Sequence, residues 1–183
     1  MTARSYLYVP GDQPEKLAGA ARRGADALIV DLEDAVAPSR KSDARAAACA
    51  YLRTGKAWVR INSETASLDL DAILGRPGLA GVVVPKAEPE LLAEVDALLA
   101  AHPDLPILAI IETARGMRRL DAVAESARVV RLGLDEADLA GELGLRPGPD
   151  RVELWPLRSQ VVVASADAGL VPPLGLSTPR FVI

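Results

Sequence analysis

Six short apolar runs in this sequence end in charged or amide side chains, and the residue types collected there are complementary. SYLYVPG (5–11) leads into Asp12. DALIVDLED (26–34) offers Asp31, Glu33 and Asp34, and AWVRIN (57–62) offers Arg60 and Asn62. GVVVPKAE (81–88) brings Lys86 and Glu88, ILAIIET (107–113) brings Glu112 with Arg115 just beyond, and RVVRLGL (128–134) leads into Asp135, Glu136 and Asp138. A carboxylate at the edge of a core, as Glu112 must be, is expensive to desolvate unless it is paired or holds a metal. A hard divalent cation such as magnesium uses one or two protein carboxylates and leaves its other positions to water and substrate. Glu112 on the fifth run and Asp138 just past the sixth would stand on neighbouring strand ends, a placement suited to an ion bridging to a bound keto acid. Arg60 carries a rigid fork of donors that matches a substrate carboxylate. Charge at the end of one parallel strand is common because a loop begins there. A set that holds both cation-binding and anion-binding groups points to a site.

Other chemistries find less support. The single histidine, His102, lies in AHPDLP at a helix end and reads as a solvent-facing loop residue, which leaves no Ser-His-Asp triad. Cys49 falls in a helical segment and reads as packing rather than as a nucleophile. RPGPDR is not a phosphate-cradling loop. Lys86 is a candidate Schiff-base lysine if desolvated, but acidic neighbours such as Glu88 would keep it charged, and an ion pair is the favoured reading. Asp31, Glu33 and Lys86 remain candidates for proton transfer.

These residues need a scaffold that brings many strand ends together. The apolar runs are continuous rather than alternating, which implies strands buried on both faces of a parallel sheet. Helical segments separate them: PEKLAGAARR ending at Gly24 and preceded by Asp12 and Glu15 in capping-box spacing, then 39–53, 67–75, 89–101, 116–127, EADLAGELG ending at Gly144, and 155–168. PPLGLST (172–178) is a possible seventh strand, and GLRPGPD (144–150) reads as a loop on the active face. A doubly wound sheet loads only the strand ends at its switch point; six loaded ends favour a (β/α)8 barrel, whose sites lie at the C-terminal strand face. The expectation is one domain over 1–183, a TIM-type barrel lacking its eighth strand and C-terminal helices, since closure typically takes about 250 residues. The unclosed edges would favour self-association. Net charge is −4 and aromatics are few, which argues against nucleic-acid binding. No apolar run approaches the ~20 residues of a bilayer span, and the N-terminus lacks the features of a signal peptide. A lone cysteine forms no internal disulfide, and a cytoplasmic location is expected.

The stretches RSYLYVPGDQPEKL, GADALIVDLEDAVAPSRKSDAR, VRIN, GVVVPKAE, AIIETARG, GLDEADLAGELG and LRSQVVVASADAGL occur in order from residue 4 to about residue 170. With them the sequence resembles the citrate lyase beta subunit family of the HpcH/HpaI aldolase superfamily. The resemblance implies a TIM-type barrel that cleaves or forms a carbon–carbon bond in citryl-, malyl- or citramalyl-CoA thioesters with Mg2+. Carried over by motif, Glu112 and Asp138 would be metal ligands, Arg60 would grip the substrate carboxylate, and Glu112 would also lie in the substrate pocket. The implied partners are an acyl-CoA or acyl-carrier-protein thioester, a small keto acid and further copies of the chain. The alternatives are an aldolase on free 2-keto acids, with metal or through Lys86, and a non-catalytic paralogue that binds a partner subunit. Family members usually run longer, with an eighth strand and C-terminal helices bearing an acidic residue that reaches a neighbour's site; here LGLSTPRFVI stops at about the seventh strand.

Overall fold

The structure is a computed structural model that describes residues 3–175. Seven parallel strands pair in sequence order: β1 (Tyr6–Pro10), β2 (Ala27–Asp31), β3 (Ala57–Arg60), β4 (Leu79–Val84), β5 (Ile107–Ile111), β6 (Val129–Leu134) and β7 (Val171–Leu174). The helices are α1 (Pro14–Ala20), α2 (Lys41–Tyr51), α3 (Ala66–Ile73), α4 (Pro89–Leu98), α5 (Ala114–Arg118), α6 (Leu120–Ala124), α7 (Glu136–Leu143) and α8 (Trp155–Asp167). None of these helices is long and apolar enough to cross a membrane. The architecture is the parallel α/β order of a TIM-type barrel. Among the described residues the sheet has seven strands and β1 does not pair with β7.

Strands β2 to β6 bury both faces because their two sets of alternating side chains enter two different cores, while β1 and β7 are only partly buried. The larger core lies between sheet and helices and takes Val30, Val59, Val82, Val84, Ile107, Ala109 and Ile111 with residues such as Leu92, Val95 and Leu139. The smaller one lies on the other face and gathers Ile29, Val83, Leu108 and Ile110 with Tyr6, Tyr8, Trp58 and Leu174. Period-two alternation then dictates which residues come next on that second face. Ile29 is succeeded by Asp31, Trp58 by Arg60, Ile110 by Glu112, and Gly133 by Asp135. The parallel register sets Asp31 opposite Arg60 and Ile111 opposite Leu134, so Glu112 and Asp135 leave their strands side by side. A one-residue slip would send each of these groups into the helix-facing core. At Gly133 a Cβ would come within 2.6 Å of Ile110 Cδ1, so a side chain there would crowd this inner core.

Three local expectations are corrected. The Asp12/Glu15 capping box does not form: Gln13 precedes α1 without a side-chain cap, Pro14 supplies the pre-set φ of the first turn, and Asp12 pairs instead with Arg40 at 3.4 Å. The helix over 116–127 is two short helices broken at Arg119, and the first begins earlier because Thr113 Oγ1 accepts the Gly116 amide at 2.9 Å. The seventh strand ends at Leu174, and residues 176–178 of the expected run lie outside the described residues. His102 lies in the loop after α4, partly exposed, and its backbone carbonyl accepts Arg128 Nη1 at 2.7 Å.

Two polar devices hold the sheet where backbone pairing stops. Arg131 on β6 donates from Nε to Pro172 O and from Nη1 to Ala3 O, at 2.7 and 2.6 Å, and so spans the seam between β7 and the segment leading into β1. At the other end, Lys41 Nζ donates to Leu32 O, Glu33 O and Asn62 Oδ1, each at 2.7 Å. Asp69, fully buried on α3, accepts Arg45 Nε at 2.7 Å, the Asn62 amide at 2.6 Å and Asn62 Nδ2 at 2.7 Å. This network clamps the loops after β2 and β3. Removing one member of a buried charged network strands the others. Asp69→Ala should therefore lower stability by about 3–5 kcal/mol in urea unfolding; a loss below about 1 kcal/mol, the range of an exposed pair, would contradict the clamp.

Candidate active site

The inner-face series converges at the C-terminal strand ends on six carboxylates and two cations. Asp31 is 1% exposed and takes Arg60 in a bidentate grip, Nε to Oδ1 at 2.8 Å and Nη2 to Oδ2 at 2.5 Å. Asp31 also accepts the Glu33 amide at 2.8 Å, which fixes the turn after β2. Arg60 Nη1 reaches Asp34 Oδ2 at 3.3 Å and stands 2.9 Å from Glu33 Oε2. The latter pair is out of hydrogen-bond alignment, so Glu33 Oε2 is a buried acceptor without a hydrogen bond. The Tyr8 ring lies under the guanidinium at 5.2 Å. Burial raises the Tyr8 hydroxyl to about 12 against the pull of Arg60, so the phenol stays neutral. Burial would lower the Arg60 pKa, but the bonds and charges of Asp31 and Glu33 outweigh it and keep the group charged.

Lys86 bridges the two halves of the site. Its Nζ donates to Glu33 Oε1 at 2.6 Å and lies 3.4 Å from Glu112 Oε1. Burial pulls the ammonium toward neutrality, but the hydrogen bond to Glu33 and the charges of Glu33 and Glu112 prevail, and its pKa is raised. The ion pair expected of Lys86 is thus present, with different partners: Glu88 instead takes Arg115 at 2.9 Å. Lys86 holds a left-handed backbone, φ 48°. A non-glycine residue in that region costs on the order of 1–3 kcal/mol and persists where the surroundings enforce it.

Glu112 is 2% exposed, and neither of its carboxylate oxygens has a hydrogen bond. Burial, then Glu33, Asp135 and Asp138, push its carboxyl up to about 7 against the pull of Lys86. Carboxylate oxygens of Glu112, Asp135 and Asp138 lie within 4.8 Å of one another. Burial also raises the Asp138 carboxyl, helped by Asp135. Two orphaned oxygens on a buried acid, beside two further carboxylates, form the donor set a hard cation uses. Glu112 and Asp138, paired by sequence spacing, are brought together. Asp135 also lines a pocket of about 500 Å³ together with Asp31, Arg60 and Tyr8, and Glu33 and Lys86 link Arg60 to Glu112.

Sequence reasoning missed the participation of Asp135, the grip of Asp31 on Arg60, and Tyr8 beneath it. The period-two step puts each on the inner face, since each follows an inner-face residue at i−2, but which strand ends meet is set by the register. Other members of the polar set point elsewhere. Glu136 is buried but bound to Arg158 at 2.6 and 2.8 Å, joining α7 to α8.

The HpcH/HpaI aldolase/citrate lyase family model matches residues 4–172. The chain belongs to this family. It is 38% identical over 162 residues to a (3S)-malyl-CoA thioesterase of Cereibacter sphaeroides, covering 82% of this chain and 55% of that protein. It is 31% identical over 182 residues to a citrate lyase subunit beta-like protein of Deinococcus radiodurans, covering 91% and 63%. Among solved structures it resembles the citrate lyase beta subunit of M. tuberculosis complexed with oxaloacetate and magnesium, with TM-score 0.78 at 31% identity over 94% of this chain and 78% of that one. A CitE structure from the same organism with magnesium, acetoacetate and coenzyme A gives TM-score 0.83 at 28% identity, covering 99% and 68%. The chain spans little more than half the length of the malyl-CoA thioesterases it matches.

The raised Glu112 pKa has a definite sign in the metal-free protein. The folded state binds this proton more tightly than the unfolded chain, so its contribution is fully present below about 4.5 and is lost as pH rises to about 7. Between those values wild type should lose up to about 3 kcal/mol relative to Glu112→Gln in chelator-treated samples. Parallel pH profiles for the two proteins would show that Glu112 is not the buried acid described.

Proposed function

We propose that this chain carries the metal and substrate-carboxylate groups of a magnesium-dependent carbon–carbon lyase. Its substrates are hydroxyacyl thioesters of the citryl-, malyl- or citramalyl-CoA type, carried on CoA or acyl carrier protein. Its products are an acyl thioester and glyoxylate or a 2-keto acid. The observation that carries this reading is Glu112: a buried acid, both oxygens without hydrogen bonds, converging with Asp135 and Asp138 and linked through Lys86 and Glu33 to Arg60. The family and its magnesium- and keto-acid-bound relatives support the substrate class.

In this reading Glu112 and Asp138 hold the metal. When bound, magnesium supplies Lewis-acid stabilisation for the charge that develops on the keto-acid fragment. Arg60 orients the substrate carboxylate. Asp31 occupies its Nε/Nη2 edge, so the substrate meets the Nη1/Nη2 edge, where the exposed Asp34 carboxylate is the partner that yields. In retro-aldol cleavage the substrate hydroxyl loses its proton and becomes the keto carbonyl as the carbon–carbon bond breaks. The bond's electron pair passes to the acyl-thioester enolate, which then takes up a proton. Both oxygens of Asp31 are committed to Arg60 and to backbone amides, and Lys86 is held protonated. Glu33, with Oε2 lacking a hydrogen bond and a pKa raised by burial, is the acceptor this leaves. Charged Lys86 also disfavours a Schiff-base aldolase, which needs the free amine. The malyl-CoA thioesterase relatives support a second reading, hydrolysis of the thioester itself. Self-association belongs to the proposal too: Trp155, Val162 and Val163 expose apolar surface on α8, and sedimentation at several concentrations tests it.

Glu112→Gln and Asp138→Asn should each abolish magnesium binding in calorimetry while the protein stays folded. Wild-type affinity in both would sink the metal assignment. Arg60→Lys keeps the charge but loses the fork, and should weaken oxaloacetate binding by about 2–5 kcal/mol; unchanged affinity would place the substrate carboxylate elsewhere. With malyl-CoA, glyoxylate and acetyl-CoA as products support the lyase, whereas malate and free CoA support the thioesterase.

A further inference from the structure

Asp135 has an apparent role already, as the N-cap of α7. Its Oδ1 accepts the amides of Ala137 and Asp138 at 3.0 and 3.4 Å. That role needs only a short polar side chain; asparagine or serine caps a helix as well as aspartate does. An aspartate adds a full charge beside Glu112, whose carboxylate is buried, and beside Asp138. Like charges at that distance repel unless a cation lies between them. The dipole of α7 favours a negative charge at its N-terminus, but it does not account for a carboxylate set within 4.8 Å of the buried Glu112 and of Asp138.

Two further details agree with this. The cap engages Oδ1 alone, and among the described residues Oδ2 has no hydrogen bond. The pair Asp135 and Asp138 also has capping-box spacing, in which the third residue of the helix would bond back to the cap amide. That amide instead donates to Ile111 O on β5 at 2.9 Å, so the reciprocal half of the box is pre-empted and the Asp138 carboxylate is released from it. The same bond ties Asp135 to the strand that carries Glu112. Glu112, with both oxygens buried and without hydrogen bonds, is the independent mark of a ligand at this point.

We propose that Asp135 is a third carboxylate ligand of the cation held by Glu112 and Asp138, directly or by taking one of its waters. The inference rests on the metal site proposed above and adds to it. One side chain then both caps α7 and completes the donor set, so the helix N-terminus is fixed relative to the ion. A third negative charge raises the affinity for a divalent cation through the ligand charge count.

The test is calorimetric titration of the chelator-treated chain with Mg2+ and, separately, with Mn2+ followed by its electron paramagnetic resonance signal. Asp135→Asn keeps an N-cap and removes the charge; Asp135→Ser is a second cap-competent replacement should the first fold poorly. Both should weaken Mg2+ and Mn2+ at least about tenfold, the lower range for losing even an outer partner of a metal ligand, while the metal-free melting temperature holds or rises. Unchanged affinity in a folded Asp135 variant, with binding abolished in Glu112→Gln, would overturn the third ligand and leave the two-carboxylate site standing. Unchanged affinity in Asp135, Glu112 and Asp138 variants alike would overturn this proposal and the metal site together.

Discussion

Arg60 and Lys86 are two cations among six carboxylates: Asp31, Glu33, Asp34, Glu112, Asp135 and Asp138. Most of the local structure derives from holding that imbalance in a poorly hydrated place. Arg60 neutralises the β2 end, with Asp31 as its bidentate partner and Glu33 and Asp34 at its other edge. Lys86 can reach across to the β5 end only at 3.4 Å and without an aligned hydrogen bond. Charge compensation is therefore close to complete on one side of the site and deficient on the other. The deficiency is localised at Glu112, Asp135 and Asp138, the side on which the proposed cation sits.

The fold delivers half of these groups through strand pleat. Asp31, Arg60, Glu112 and Asp135 continue inner-face series along their strands, and the parallel register aligns the series from strand to strand, whereas Lys86 comes from the turn after β4 and Asp138 from α7. Groups placed this way inherit the rigidity of the sheet, which suits a site whose geometry must hold to within fractions of an ångström. The loops are then restrained by neutral and charged bonds of their own. Lys41, Asn62 and Asp69 do this after β2 and β3, Thr113 after β5, and Asp135 after β6. Arg131 performs a related task at the opposite end, where among the described residues no backbone ladder joins β7 to β1.

The sequence made the strand order, the loaded strand ends and the pairing of Glu112 with Asp138 legible, because continuous apolar runs and their terminal charges are local signals. It was less informative where two local signals competed. Asp12 and Glu15 had capping-box spacing, yet Pro14 and the pull of Arg40 decided that turn. Lys86 has an acidic neighbour two residues away at Glu88, yet its partners come from β2 and β5, across the sheet. Asp135 read as part of a charged strand end, but its place in the carboxylate cluster depends on the register between β5 and β6. Register is a tertiary property, and single-sequence periodicity does not specify it.

Glu112 couples this chemistry to the stability of the chain. Without a cation its carboxylate is a liability above neutral pH, since burial and three acidic neighbours favour the protonated form. A divalent ion requires that proton to leave, so on the proposed reading metal binding and deprotonation are one linked event. The same residue then changes sign, from a group that weakens the fold as pH rises to one that draws binding free energy into it. The proton released comes from the acid that stands next to Lys86, itself bonded to Glu33. A change of charge at Glu112 is thus felt through Lys86 at the proposed proton acceptor, which places metal occupancy and proton transfer on one chain of contacts from β5 to β2.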